Sequence, residues 1–127
     1  MAAIVICLDT NYLILGLVPG SRESKEIIAW NAAQVPLISP MSAWYEFLSG
    51  PVSVPQIAAM RAFLHDLVPF AESQAIDAAR LFNAVRRKRS LRIDAMIAAT
   101  AIVAGAELAT NNRTDFNFFV PYGLRLV

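Results

Sequence analysis

The chain has 127 residues, of which 57% are hydrophobic and 17% charged, and its formal net charge is +1. This length is enough for one domain with its own core, and the composition excludes intrinsic disorder, which requires low hydrophobicity and high net charge. The near-neutral charge also excludes a molecule that attracts polyanions over its whole surface. We therefore predict one domain over residues 1–127, and the high apolar content favours a dimer or a complex over a monomer.

The apolar stretches are too short to cross a membrane. The longest of them covers residues 95–106, whereas a spanning helix needs about 20 residues. Residues 1–5 lack the basic region and the cleavage site of a secretory signal. The single cysteine, Cys7, has no partner for an internal disulfide and lies in an apolar run. These features predict a reduced, cytoplasmic protein without a membrane span.

Strand and helix patterns alternate along the first half of the chain. Residues 4–8 are apolar and rich in β-branched side chains, which is typical of a strand buried in a parallel sheet. Helix-capping residues follow at positions 9–11, 21 and 39, and Pro40 suits the first turn of a helix. We therefore predict a second strand over residues 35–38 and helices over residues 12–17, 22–33, 41–48 and 55–65.

The second half continues the alternation. A strand over residues 67–70 precedes a long amphipathic helix over residues 72–88. The next helix, residues 94–104, is apolar almost all round and should be buried, with Gly105 as its stop. A fourth strand covers residues 107–110, and residues 124–127 form a fifth at the edge. This pattern predicts an α/β sandwich with a central, mainly parallel sheet of four to five strands flanked by helices.

A cluster of basic residues follows the long helix. Five of the seven residues at positions 86–92 are basic, and no acid lies between Asp77 and Asp94. The cluster consists of Arg86, Arg87, Lys88, Arg89 and Arg92. Such a patch attracts phosphate backbones. Cations also favour the C-termini of helices because of the helix dipole, so the cluster alone leaves both interpretations open.

Four of the ten acidic residues occupy positions where surface charge is unusual. Asp9 directly follows the first predicted strand, and Asp115 follows the fourth. Glu46 lies in an apolar helix, and Asp94 opens the most hydrophobic helix of the chain. Ligands of open α/β sheets bind beyond the carboxyl ends of the strands. If the sheet is parallel, we expect all four carboxylates to converge at that edge.

Four neighbouring carboxylates repel one another unless a cation neutralises them. All-oxygen ligation suits Mg²⁺ or Mn²⁺, and the chain holds only one Cys and one His to suit zinc. Each acid also has an ordinary interpretation: Asp9 and Asp94 as helix caps, Glu46 as the partner of an arginine, and Asp115 as a turn residue. The joint arrangement favours a metal site over four separate structural roles.

Four segments together resemble the PIN-domain family, and in particular its VapC-type toxins. They are Leu8-Asp9-Thr10-Asn11, Glu46, residues 94–101 (Asp-Ala-Met-Ile-Ala-Ala-Thr-Ala) and residues 110–116 (Thr-Asn-Asn-Arg-Thr-Asp-Phe). They occur in the family's order and at its usual separations along the chain. The last two segments are the most specific part of the resemblance, and no acidic position of the family's quartet is substituted.

The resemblance implies a PIN-like three-layer sandwich and an endoribonuclease that uses Mg²⁺ or Mn²⁺. The active-site residues that it assigns are four catalytic, metal-binding acids and three hydrogen-bonding neighbours: Asp9, Glu46, Asp94 and Asp115, with Thr10, Thr110 and Asn112. The basic cluster would contact the RNA. The resemblance further implies a homodimeric toxin that is blocked by a cognate antitoxin. The predicted contact surface is the apolar side chains of the early helices, including Trp30, Trp44, Tyr45 and Phe63.

Three other functions compete with this interpretation. A phosphatase with an aspartyl nucleophile generally needs a second acid two residues after the first, where this chain has Asn11. A receiver-type signalling domain has an early, adjacent acid pair, which is absent from the sequence. A non-catalytic RNA-binding or interaction module would use the acids only as caps. The single histidine, His65, is expected at the surface rather than in the role of a catalytic base.

Overall fold

The computed structural model describes residues 3–127 and contains a five-stranded sheet. The strands are β1 (Ile6–Leu8), β2 (Leu37–Pro40), β3 (Asp66–Val68), β4 (Glu107–Ala109) and β5 (Arg125–Leu126). The helices are α1 (Thr10–Leu15), α2 (Arg22–Ala32), α3 (Met41–Leu48), α4 (Val54–Phe63), α5 (Glu72–Ala84), α6 (Arg92–Val103) and α7 (Arg113–Phe116). Short 3-10 helices cover Arg89–Leu91 and Asn117–Tyr122. The strand order is β3-β2-β1-β4-β5, and every neighbouring pair is parallel.

Helices cover both faces of the sheet, which gives a three-layer sandwich. Successive strand residues point to opposite faces, so Cys7 packs on one side while its neighbours Ile6 and Leu8 pack on the other. The first face holds a core built mainly with α5 and α6, and the second holds one built mainly with α1, α3 and α4. Because apolar layers lie on both faces, the central strand β1 is apolar and buried at all three of its residues. The predicted fold class is confirmed.

The predicted helix over residues 72–88 is wrong at its C-terminal end, because α5 stops at Ala84. Arg86 and Arg87 have left-handed backbones, with φ of 60° and 57°. The Arg87 amide donates to the Phe82 carbonyl and the Arg86 amide to the Asn83 carbonyl, which is the Schellman pattern that ends helices. Glycine usually occupies the left-handed position, so the sequence carries no clear stop signal there. The basic cluster therefore lies on a loop and the following 3-10 turn, up to the start of α6.

Other boundaries differ from prediction by a few residues, as local sequence patterns commonly do. The largest effect on the site is at α6, which begins at Arg92, so that Asp94 lies in its first turn instead of opening it. Within residues 3–127, no helix is long and apolar enough to cross a membrane. The prediction that no secretory signal is present includes Met1 and Ala2, which lie outside the described residues.

The apolar side chains of the early helices divide between core and surface. Trp44 is buried against Phe47, so the prediction that it forms a contact surface is wrong. Trp30 and Phe63 are half-buried and pack against the core. Tyr45 is 70% exposed and is the one of the four that remains available to a partner. Position in an amphipathic helix decides this, because neighbouring residues on a helix point to different faces.

Candidate active site

Asp9 is the most buried acid of the predicted set. It directly follows β1 at the carboxyl edge of the sheet, and only 7% of its surface is exposed. Its Oδ1 accepts a hydrogen bond of 2.8 Å from the Thr10 amide, which caps α1. Its Oδ2 accepts one of 2.8 Å from the Thr110 hydroxyl, which follows β4. The adjacent parallel strands β1 and β4 therefore hold both carboxylate oxygens in fixed positions.

Glu46 and Asp94 face the same cleft as Asp9. The cleft has a volume of about 320 Å³, and Thr10 and Asn112 also line it. Glu46 projects from α3, which follows β2, and Asp94 projects from the first turn of α6. Asp94 is half-buried, whereas Glu46 is exposed despite its apolar neighbours in the sequence. Three of the four predicted acids thus line one cleft at the carboxyl edge of the sheet.

Asp115 lies beside this cleft, although it does not line it. Asn112 connects the two: its side-chain amide donates to Asp115 Oδ2 at 3.2 Å, and its backbone amide donates to the Thr110 hydroxyl oxygen at 3.0 Å. The Thr110 hydroxyl therefore accepts from Asn112 while it donates to Asp9. This chain of hydrogen bonds links the buried acid to Asp115 on α7.

The cleft has more negative charge than its surroundings neutralise. Burial, together with the negative charges of Asp115, Asp9 and Glu46, raises the pKa of Asp94 to about 6. Burial also raises the pKa of Asp9, although the hydrogen bonds from Thr110 and Thr10 favour its charged form and oppose the rise. Asp115 contributes to this rise in the pKa of Asp94 although it does not line the cleft. A bound cation would relieve this repulsion.

The donor set of the cleft fits a hard divalent cation. Its polar groups are carboxylate, hydroxyl and amide groups, and Mg²⁺ prefers oxygen ligands. The Thr10 hydroxyl is buried in this lining and has no hydrogen-bond partner among residues 3–127. Among residues 3–127, no group of three His, Cys, Asp or Glu side chains is arranged so that it could hold a metal ion by itself. A complete set of protein ligands is not required, because Mg²⁺ usually keeps several waters and binds through one or two carboxylates together with substrate phosphates.

The structure does not bring the basic cluster into the acidic cleft. Arg87, Arg89 and Arg92 surround a separate depression of about 340 Å³ beside Phe82. Arg86 instead lines a larger groove formed with the 3-10 helix Asn117–Tyr122. All five basic residues are exposed. His65 is also exposed, between α4 and β3, and does not line the cleft.

Some residues at the site carry no signal in the sequence. Ile14 and Ile93 line the cleft because they lie near Asp9 and Asp94 on α1 and α6, together with Asn11, which the first of the four sequence segments already included. Arg22, on α2, donates a 2.6 Å hydrogen bond to the side-chain oxygen of Asn111. These two residues are 89 positions apart, and no local pattern indicates that they meet. The contact ties α2 to the loop that carries Thr110 and Asn112.

Comparisons with known proteins agree with this architecture. A chain of a toxin–antitoxin complex from Klebsiella pneumoniae is 28% identical, with a TM-score of 0.67 over 91% of this chain and 90% of that chain. A chain of DNA-bound VapBC from Salmonella typhimurium is 22% identical, with a TM-score of 0.74 over 98% of this chain and 97% of that one. VapBC2 from Rickettsia felis, bound to a promoter DNA fragment, is matched at 17% identity and a TM-score of 0.74, with 98% of each chain covered.

At these identities the last two comparisons establish the fold alone. No curated protein is matched by the sequence. The family comparison is more direct, since the PIN domain matches residues 6–117, which include all four acids and most of the sheet. On this match, the chain belongs to the PIN-domain family.

Proposed function

We propose that this chain is a metal-dependent endoribonuclease and the toxin component of a toxin–antitoxin pair. The observation that carries the proposal is the convergence of Asp9, Glu46 and Asp94 on one cleft at the carboxyl edge of a parallel sheet. Asp115 acts on the same cleft electrostatically. In a PIN-domain chain this concentration of carboxylates suits Mg²⁺ or Mn²⁺ and a phosphodiester substrate. Residues 1–127 would act as a single domain.

Asp9 and Asp94 are the proposed cation ligands. Hydrogen bonds from Thr10 and Thr110 hold Asp9 in place, so little side-chain order remains to be gained when it binds. Asp94 reaches the same cleft from the first turn of α6. The chemistry that a bound divalent cation supplies is stabilisation of negative charge on the phosphodiester and a lower pKa of water. No side-chain nucleophile is required, which agrees with the position of His65 outside the cleft.

Glu46 and Asp115 complete the proposed catalytic set. Glu46 is exposed at the mouth of the cleft, where it has access to solvent and can orient an attacking water or share a second cation. Asp115 is held by the Asn112 amide and has the same two possible uses. Thr110 and Asn112 would act by orienting Asp9 and Asp115, and the buried hydroxyl of Thr10 is positioned to accept or donate a further bond within the cleft.

The proposal is tested by incubating the purified protein with single-stranded RNA and Mn²⁺. Asp9→Asn or Asp94→Asn keeps the shape of the side chain but removes the charge that holds the cation. We expect either change to lower the cleavage rate by about 100-fold or more, in line with the contribution of an electrostatic catalytic group. Asp66→Asn is the matched control, since Asp66 is exposed at the start of β3, at the opposite end of the strands.

Cleavage at the wild-type rate by either active-site variant would show that the ligand assignment is wrong. EDTA should abolish cleavage by the wild-type protein, and Mn²⁺ should restore it. Cleavage that persists in EDTA would rule out metal dependence and would favour a non-catalytic role for the acids together with a contaminating nuclease.

The proposed partners are an antitoxin protein and a second copy of the chain, in the cytoplasm. One of the similar solved chains belongs to a toxin–antitoxin complex at 28% identity, which supports the first of these. Ile14 and Ile93 line the acidic cleft and are exposed apolar side chains that a partner segment would cover, and Tyr45, next to Glu46 in the chain, is also exposed. An arginine offered by that segment would pair with the carboxylates of the cleft and compete with the cation.

A further inference from the structure

We infer that the groove between the loop after α5 and the 3-10 helix Asn117–Tyr122 binds an unpaired nucleobase of the RNA substrate. The groove has a volume of about 550 Å³, which is in the range of small-molecule binding sites. Its walls include Val85 and Arg86 from the end of α5 and its loop, and Phe118 and Tyr122 from the 3-10 helix. The inference rests on the proposed ribonuclease function. It assigns to the protein a second binding site for the same RNA substrate, separate from the acidic cleft.

The aromatic side chains of this segment are sorted by the fold. Phe116 and Phe119 are fully buried in the core, whereas Phe118 is 43% exposed and Tyr122 is 40% exposed. The 3-10 geometry turns successive side chains about a third of a turn apart, so Phe118 points away from its buried neighbours. Two exposed rings thus line one groove. Base-on-ring stacking is the contact by which proteins hold single-stranded nucleic acid without reading its sequence.

The charge around the groove matches a phosphate backbone. Arg86 lines it, and the Lys88 ammonium lies 4.6 Å from the centroid of the Phe118 ring. This cation–π contact places a positive charge over one face of the Phe118 ring, so a base would stack on the opposite face, with that charge close by. Among residues 3–127, no acidic side chain lines the groove. A nucleotide, which has a flat base and a negative phosphate, complements this combination of rings and cations.

Backbone strain in the loop favours a role for its side chains. Arg86 and Arg87 both have left-handed backbones, a conformation that is unfavourable for a residue with a side chain compared with the right-handed one. Glycine would avoid that cost at the end of α5. Strain of this kind is typical of functional positions. The loop therefore has arginines at two positions where the backbone conformation alone would favour glycine, and one of them, Arg86, lines the groove.

The short segment 112–117, which contains α7, contributes residues to both the groove and the acidic cleft. Thr114 and Asn117 line the groove, and Asp115 lies between them in the chain. Asn112, just before α7, lines the acidic cleft. A strand whose base is held in the groove would thus place its neighbouring phosphates along the side of the molecule that carries the acids. The base site would position the strand for cleavage without taking part in the chemistry.

The test measures RNA binding by fluorescence anisotropy in an Asp94→Asn background with EDTA, so that cleavage does not enter the result. The probe is a short, labelled single-stranded RNA of mixed sequence. Phe118→Leu keeps an apolar side chain but removes the stacking face, and it should weaken binding by about 5-fold to 100-fold. The slope of affinity against salt should stay unchanged, because no phosphate contact is lost. Phe118→Trp should keep near wild-type affinity.

Phe70→Leu is the matched control. Phe70 is 41% exposed, almost the same as Phe118, but it follows β3 at the sheet edge opposite β5. Its replacement should leave RNA affinity unchanged. The fluorescence of a 2-aminopurine in the RNA should be quenched on binding when position 118 keeps its Phe or carries Phe118→Trp, and should be quenched less with Phe118→Leu. Melting curves of each variant establish that it is folded.

Equal affinities of Phe118→Leu and Phe70→Leu would overturn the base site, and would instead favour a protein segment as the occupant of the groove. Equal losses for single-stranded RNA and for the matching duplex would also overturn it, because paired bases have no free face to stack. Neither outcome bears on the nuclease proposal, which depends on the cleavage assay. Conversely, cleavage that does not depend on Asp94 would leave this binding result standing.

Discussion

Asp94 is the residue whose negative charge, which the proposed function requires, is most unfavourable in the metal-free fold. It is half-buried, and burial together with three other acids raises its pKa to about 6. The ordinary value is 3.8. Between pH 3.8 and about 6, Asp94 therefore keeps its proton in the folded protein and has lost it in the unfolded chain. Without a cation, its contribution to stability is therefore greatest at low pH and falls as the pH rises through 6.

We expect Asp94→Asn to raise the melting temperature of the metal-free protein at pH 7.5. The amide keeps the shape of the side chain and removes a repelled charge. Because Asp94 is only half-buried, solvent reduces the effect to on the order of 1 kcal/mol, or about 4 °C. The difference should vanish near pH 4, where Asp94 is protonated in the folded wild-type protein. The measurement is thermal unfolding in EDTA at both pH values.

Mn²⁺ should reverse this order at pH 7.5, since it stabilises the wild-type protein and has weaker ligands in the variant. Asp66→Asn should show neither effect, because Asp66 is exposed and far from the cleft. A variant that melts below the wild-type protein in EDTA at pH 7.5 would mean that Asp94 makes a stabilising contact in the metal-free fold.

At the scale of structural elements, the loop after α5 concentrates positive charge in a part of the chain that has no acid between Asp77 and Asp94. The early end of α5 leaves Arg86, Arg87, Lys88 and Arg89 outside the regular helix. A loop presents such side chains in several directions, so the cluster divides between two depressions. A regular helix would have spread the same residues around its axis.

We expect Arg86→Gln, Arg87→Gln and Arg89→Gln, combined, to weaken RNA binding and to reduce its salt dependence. Each lost phosphate contact lowers the slope of log affinity against log salt by about 0.7 for single strands, so three contacts lower it by about 2. Turnover on saturating RNA should change little. Anisotropy titrations over a range of salt concentrations measure the slope, and an unchanged slope would show that the cluster is an ordinary solvated loop.

At the scale of the whole molecule, the acidic cleft and the basic loop lie on different parts of the surface, and exposed apolar residues border the cleft. Ile14 and Ile93 border the cleft, and Tyr45 lies beside Glu46 on α3. Apolar surface next to a charged site is typical of a place where a partner binds. The proposed antitoxin would cover these side chains and reach the acids at the same time.

We expect expression of the wild-type chain alone to arrest growth, because an unblocked ribonuclease degrades cellular RNA. Co-expression of the neighbouring small gene should restore growth by occupying the cleft. Asp94→Asn is the control and should be harmless without the partner. The measurement is the growth rate after induction of each combination. Harmless expression of an active wild-type protein would exclude the toxin role while the nuclease proposal stood.

Much of the fold followed from local patterns. Residues 4–8 were predicted as a buried strand because they are a continuous apolar run, and they contain the observed β1; the predicted strand over residues 107–110 contains β4. Helix α5 was predicted too long because its end depends on the left-handed backbone of Arg86, and arginine gives no signal for that conformation. Trp44 was predicted at the surface because its neighbours are equally apolar, and it is buried because it packs against Phe47 in the core on that face of the sheet.

The sequence by itself determined the alternation of strands and helices, the parallel sheet and the choice of the four acids. These properties follow from residue periodicity and from the place of each acid relative to a strand, both of which are local. Only the tertiary structure decided that Asp9, Glu46 and Asp94 share a cleft while Asp115 stands beside it, and that Phe118 shares a groove with Arg86. Such contacts join residues far apart in the chain, and they depend on how helices pack on the sheet, which no local pattern encodes.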